Sequence, residues 1–121
     1  MMMIEHIHLP HPIGGADAAR AFWVEVMEFD EVEKPEKIRG EPGGGWFRKE
    51  GAEVHIGNDP DHRPMTVAHP AFMVADLAAL ADRLKSHGHA VDWDDRIPDR
   101  RRFFSFDPAG NRLEFFTDNK D

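Results

Sequence analysis

The sequence predicts an α+β chain built from two copies of one strand-helix-strand-strand-strand module. Three observations predict it. The same order of elements can be traced twice along the 121 residues. The two first strands carry matching histidines, His6 and His69, 63 positions apart. The two last strands, Gly51-Ala52-Glu53-Val54-His55 and Gly110-Asn111-Arg112-Leu113-Glu114, align so that His55 and Glu114 lie 59 positions apart. A nearly constant offset between matched strands is the mark of a duplicated module.

The elements follow in order. From Met3 to Leu9, Ile7 and Leu9 alternate with His6 and His8, the period of a half-buried strand. Pro10, Pro12, Gly14 and Gly15 break it. Ala16 to Met27 reads as a helix, with Ala18, Phe22 and Val26 at helical spacing. Phe29 to Glu36 is a weak strand and Gly40 to Gly45 a loop. Trp46 to Arg48 and Ala52 to Ile56 are strands joined by a turn at Glu50-Gly51.

After this first module, residues 1–57, a linker over 58–67 carries two prolines. The second module, 68–116, begins with His69 to Val74, alternating again. Asp76 is placed to cap a helix whose Leu77, Leu80, Ala81 and Leu84 fall at i, i+3, i+4 and i+7. Gly88 would close that helix. Ala90 to Trp93 and Arg102 to Phe106 read as strands. Asp107-Pro108-Ala109-Gly110 has turn residues in type I order, and Asn111 to Phe116 is the last strand. Residues 117–121 form a polar tail.

Composition narrows the function. With 40% hydrophobic and 31% charged residues, the chain has the balance of a single globular domain whose halves share a core. A formal net charge of −8 disfavours nucleic acid and anionic membrane surfaces as partners. No cysteine is present, which excludes thiolate chemistry and fits a reducing compartment. The first residues lack the basic and apolar regions of a signal peptide, so a cytoplasmic location is expected.

In each aligned strand one face is apolar: Ile7/Leu9, Val54/Ile56, Phe72/Val74 and Leu113/Phe115. Those faces must meet the amphipathic helices to leave water. The opposite faces then carry His6 and His8, Glu53 and His55, His69 and Met73, and Arg112 and Glu114. Paired modules forming a curved mixed sheet would bring these polar faces around one cleft. His6, His55, His69 and Glu114 make a three-nitrogen, one-oxygen set suited to one divalent metal ion: zinc, nickel, iron, manganese or cobalt. Such a centre stabilises a developing oxyanion and leaves positions open for substrate oxygens.

The segments Ile4-Glu5-His6-Ile7-His8-Leu9, Ala68-His69-Pro70-Ala71-Phe72-Met73-Val74 and Asp107-Pro108-Ala109-Gly110-Asn111-Arg112-Leu113-Glu114-Phe115 resemble the vicinal oxygen chelate superfamily. That superfamily includes glyoxalase I, extradiol dioxygenases, fosfomycin resistance enzymes, methylmalonyl-CoA epimerase and bleomycin-binding proteins. The resemblance covers nearly the whole chain. The turn leading into the glutamate-bearing strand is its most specific part. It implies a glyoxalase-like fold of paired βαβββ modules and metal ligands at His6, His55, His69 and Glu114. It also implies a homodimer. One departure is His55, where the glyoxalase and epimerase branches more often have glutamate or glutamine. Proton transfer would then fall to Glu114.

The expected function is that of a metal-dependent lyase, isomerase or transferase. Its substrate would be a small molecule that chelates the metal through oxygen. Two alternatives are a drug- or metabolite-binding protein without turnover and an iron(II) extradiol-type dioxygenase. His8, Trp46, Met73, Arg102 and Arg112 are the expected substrate-contacting residues. His8 is read as lining the cavity or orienting a ligand, His11 as solvent-facing, and His62 as a loop residue. His87 and His89 are placed at a helix C-terminus, where positive charge suits the dipole. Arg100, Arg101 and Arg102 read foremost as a solvated strand entry. The sharper alternative has one of them, or Arg112, meeting an anionic substrate. Trp46, Phe104 and Phe116 are either pocket wall or core.

Overall fold

The computed structural model describes residues 1–39 and 42–118. The chain divides at Pro64/Met65 into two units, each a strand-helix-three-strand module. Gly40 and Glu41 of the expected loop, and 119–121 of the expected tail, lie outside the described residues.

Module one contains β1 (Ile7–His11), α1 (Ala16–Ala21), β2 (Asp30–Val32), α2 (Glu36–Arg39), β3 (Gly45–Lys49) and β4 (Ala52–Asn58). Its sheet has the order β1-β4-β3-β2, with β1 parallel to β4 and the other neighbours antiparallel. Module two contains β5 (Ala71–Met73), α3 (Leu77–Ser86), β6 (Asp92–Asp94), β7 (Arg101–Phe106) and β8 (Arg112–Thr117). It repeats the arrangement as β5-β8-β7-β6, again with one parallel pair. The fold is thus the expected α+β duplication.

Register makes the equivalence exact at the residue level. In module one His8 lies opposite His55, and Trp46 lies opposite His55 from the other side. In module two Ala71 and Phe104 stand in the same two relations to Glu114. His6 and His69 each precede the residue opposite by two, so the offsets seen in the sequence are offsets of register.

Apolar packing explains why the helices lie where they do. Ala19, Phe22, Trp23 and Val26 are buried, together with Leu9, Phe47, Val54 and Ile56. The expected stripe through Ala18 is corrected: Ala18 is exposed and Ala19 is buried. From Phe22 to Val26 the helix widens to π spacing, with the Met27 amide donating to the Phe22 carbonyl at 2.9 Å. Both Phe22 and Trp23 are thereby turned inward, and truncating either should cost about 3–5 kcal/mol. In module two Leu77, Ala81 and Leu84 of α3 join Phe103, Leu113 and Phe115 in the core. Asp76 caps α3 by accepting from the Ala79 amide at 3.0 Å. Gly88, at φ 82, ends it: the His89 amide reaches the Leu84 carbonyl and the Gly88 amide the Lys85 carbonyl.

Several boundaries differ from expectation. Neither His6 nor His69 is inside a strand. Pro70 has no amide hydrogen to give the β5–β8 ladder, so β5 starts at Ala71 while the Pro70 carbonyl still accepts from Glu114. The weak strand shrinks to Asp30–Val32. The short α2 follows Pro35, whose fixed φ suits a helix start. β3 begins at Gly45, and β4 extends to Asn58, past the expected end of module one. β8 reaches a buried Thr117, so the tail is shorter than 117–121. Among the described residues no helix is long and apolar enough to cross a membrane.

Candidate metal-binding residues

The turn before β8 shows how sequence positions a ligand. Asp107 accepts the amides of Ala109 and Asn111 through Oδ1, and the Gly110 amide closes the turn on the Asp107 carbonyl at 2.9 Å. Gly110 takes φ 83, which glycine alone adopts at little cost. The Asn111 amide group donates to Asp107 Oδ2, and its oxygen accepts from the Met65 amide. Both side chains are buried, so the turn is a fixed platform that aims Glu114.

In module two His69 Nε2 lies 3.0 Å from Glu114 Oε1. His69 Nδ1 donates to the Val67 carbonyl at 2.8 Å, which fixes the ring with Nε2 toward the carboxylate. Two oxygen acceptors thus face one imidazole, and a cation held by both Nε2 and Oε1 would fit that contact. Donors bound cis to one ion at about 2.1 Å stand roughly 3 Å apart, so this spacing fits a metal. An outer carbonyl on the distal nitrogen is the usual way a ligating histidine is oriented.

Around Glu114 lies a charged network. Arg102 donates from Nη1 to Glu114 Oε1 at 3.3 Å, and from Nε and Nη2 to Asp94 Oδ1. Arg96 also binds Asp94, at 2.6 Å. Burial acts to raise the Asp94 carboxyl, but bonds from the Arg96 amide and from the Arg102 and Arg96 guanidiniums outweigh it and hold it below its ordinary value. Arg102 is therefore no solvated strand entry; its side chain is 12% exposed and links Asp94 to Glu114. An open groove of 710 Å³ runs along the β6–β7 connection, lined by Trp93, Asp94, Ile97 and Arg100 to Arg102.

Module one presents its counterpart with different chemistry. The His55 ring is sandwiched: His6 stacks on one side at 3.9 Å and Trp46 on the other at 4.0 Å. Glu53 Oε2 accepts from His55 Nε2 at 2.7 Å, while Arg48 binds Glu53 Oε1. These bonds, His55 first and Arg48 next, hold the Glu53 carboxyl below its usual range. One donor atom each from His6, Glu53 and His55 lie within 4.8 Å of one another. His8 sits on the same face, over Gly57; a Cβ there would meet its ring at 2.8 Å. Burial, and then His55, His6 and His11, lower the affinity of His8 for a proton.

Two expectations need revision. His11 is 1% exposed rather than solvent-facing: Nδ1 donates to the Pro12 carbonyl, and Nε2 accepts from the Gly44 amide at 3.3 Å. It is a structural tie between the end of β1 and the start of β3. Glu53 shares a face with His55 as expected and is also its hydrogen-bond partner, a contact the i, i+2 spacing on one strand signals. Trp46 packs flat on His55, and Phe104 and Phe116 are buried, while Met73 is exposed. Phe104 contacts His69 edge-on at 5.5 Å and carries the Arg112 guanidinium at 3.8 Å.

Residues 4–115 match the family model of the Glyoxalase/Bleomycin resistance protein/Dioxygenase superfamily. The chain belongs to this superfamily. A glyoxalase family protein of Bacillus anthracis is 37% identical, with a TM-score of 0.91 over 97% of this chain and 95% of that one. Two more distant structures share the fold. A variant of the fosfomycin resistance protein FosX of Listeria monocytogenes, solved with Mn(II), is 18% identical, with a TM-score of 0.73 over 95% and 91% of the chains. The antibiotic-binding protein TnmS3 of Streptomyces sp. CB03234 is 22% identical, with a TM-score of 0.71 over 97% and 98%. No curated protein matches the chain. One fold thus serves a protein solved with Mn(II) and an antibiotic-binding protein, so the side chains decide function.

Proposed function

We propose that the chain is a metal-dependent enzyme of the glyoxalase type, acting on a small molecule that chelates a divalent ion through oxygen. The observation that carries this reading is the equivalence of two donor pairs. His6 with His55, and His69 with Glu114, occupy the same register positions in the two modules. Each pair is held ready within its own module, by stacking in one case and by a 3.0 Å contact in the other.

His6, His55, His69 and Glu114 would hold the ion, supplied by two modules of one chain or of two chains in a homodimer. When bound, the metal supplies Lewis acidity to a substrate oxygen. Glu114 contributes the negative charge of the set and is the group that takes up a substrate proton. Arg102 keeps it aimed. Glu53 orients His55 and must yield its Nε2 for that nitrogen to ligate. Trp46 holds the His55 plane and His8 lines the same face.

Elemental analysis of protein purified without chelator tests the reading. Close to one first-row divalent ion per site is expected. Protein that neither carries such a metal nor takes one up would instead belong with the binding members. Iron, with dioxygen-dependent cleavage of a catechol, would move the assignment to the dioxygenases.

A further inference from the structure

We infer that the substrate of this site carries an oxyanionic group, and that Arg112 of module two is its receptor; this rests on the metal-site reading above. Arg112 is half-buried on the face of β8 that bears Glu114, two residues away, or about 6.6 Å along the strand. Its guanidinium carbon lies 3.8 Å from the centre of the Phe104 ring, the closest of the arginine–ring contacts, and no carboxylate among the described residues pairs with it. Its amide donates to the Met65 carbonyl at 2.8 Å, so the backbone that carries it is pinned.

The contrast with its neighbours decides the assignment. Arg102 also lies over Phe104, at 5.0 Å, but its hydrogen bonds are spent on Asp94 and Glu114. Arg100 lies over Phe116 and is paired with Asp118. Arg96 and Arg102 take up Asp94 and Glu114, whereas Arg112 pairs with no carboxylate among the described residues of a chain of net charge −8. Acidic partners are abundant in this sequence, yet Arg112 has been left a phenyl ring in place of a carboxylate. A ring fixes the plane of a guanidinium without consuming its N–H donors, which stay available for paired bonds to two oxygens. A carboxylate and a phosphoryl or phosphonyl group present that same oxygen pair.

The test is titration calorimetry on chelator-stripped protein, with inorganic phosphate and with acetate at constant ionic strength. Wild type, Arg112→Met, Arg112→Lys and the exposed-site control Arg63→Gln are compared. Methionine keeps an apolar cover on Phe104, and an unchanged melting temperature confirms that cover. Saturable binding of at least one anion is expected, weakened about tenfold or more in Arg112→Met and retained in the control. Lysine should fall between, since it restores charge without the planar fork; it carries the test should the methionine variant fail to fold. A stronger response to phosphate assigns the tetrahedral class, and one to acetate the carboxylate class. No saturable binding by wild type, or equal binding by Arg112→Met, overturns the inference. Metal content is measured in parallel on the same variants purified without chelator. Lost anion binding with metal retained supports the receptor role, whereas lost metal with anion binding retained makes Arg112 a support for Glu114 and overturns it. A wild type that binds anion through Arg112 but holds no metal would leave the receptor standing while the metal reading fails.

Discussion

The two modules use one register to present donors of opposite character. In module one the positions hold two imidazoles, ordered by a ring stack with Trp46 and by Glu53. In module two they hold an imidazole and a carboxylate, ordered by Arg102 and Asp94. The repeated register fixes where the donors stand. On the proposed reading module one would offer nitrogen ligands, while module two would supply a carboxylate and its arginine partner. The supporting residues differ accordingly, stacking being suited to an aromatic ring and ion pairing to a buried carboxylate.

The comparison is broken most severely at Glu114. Its side chain is 6% exposed and it faces both His69 and Arg102, so Glu114→Ala leaves a nearly buried guanidinium short of a partner. We expect a loss of about 3 kcal/mol in denaturant unfolding. Metal retention should vanish in the same variant. The matching change in module one, His55→Ala, should also remove metal but cost less stability, because the Glu53 it leaves behind keeps Arg48 as a partner.

The supporting residues come next. Asp94→Asn loosens the support of Glu114, and metal affinity should fall about 10- to 100-fold in a chelator competition assay; Glu53→Gln weakens a bond that competes for the ligating His55 Nε2 and should not lower it. The two should differ in effect on the apoprotein, where only Asp94→Asn releases Arg102. Glu53 also predicts an acid limb. Its folded-state carboxyl is held below the ordinary value by His55 and Arg48, so the unfolded chain binds protons first as pH falls. The stabilisation is complete above the unfolded carboxylate range and is lost as pH drops through the folded value. Stability measured across that range should be flatter in Glu53→Gln than in wild type.

A gentler contrast is found in the turns that feed the last strand of each module. Module two places Gly110 at φ 83, whereas module one places Glu50 at φ 52. A side chain in the left-handed region is strained, so Glu50→Gly should raise stability by about 0.5–1 kcal/mol. Gly110→Ala should lower it by about 1–2 kcal/mol, since it imposes that strain on the platform beneath Glu114. Thermal unfolding of the two variants would show opposite shifts.

Much of this architecture was legible in the residues themselves. Period-two alternation located β1, β4 and β8, and the repeated spacing of His6/His69 and His55/Glu114 survived as register. Asp76 and Gly88 acted as helix punctuation because capping depends on local geometry. What was not legible depends on contacts between strands. Arg102 looks like part of a surface basic run until β6 and β8 bring Asp94 and Glu114 beside it. His11 follows a proline and reads as a loop residue, yet the backbone of Gly44 buries it. Ala18 lost its place to Ala19 because the widened helical turn at Phe22–Val26 brings Phe22 and Trp23 inward together, a rearrangement that regular helical spacing does not anticipate.

The account stands on donors from the two modules serving one ion. Metal stoichiometry of His55→Ala and His69→Ala, measured by mass spectrometry against protein concentration, addresses that claim most directly. Wild type should hold one ion per site, and each substitution, in either module, should empty it while the melting curve stays cooperative. Full occupancy in either variant would show that one module binds metal without the other, and would contradict the shared centre.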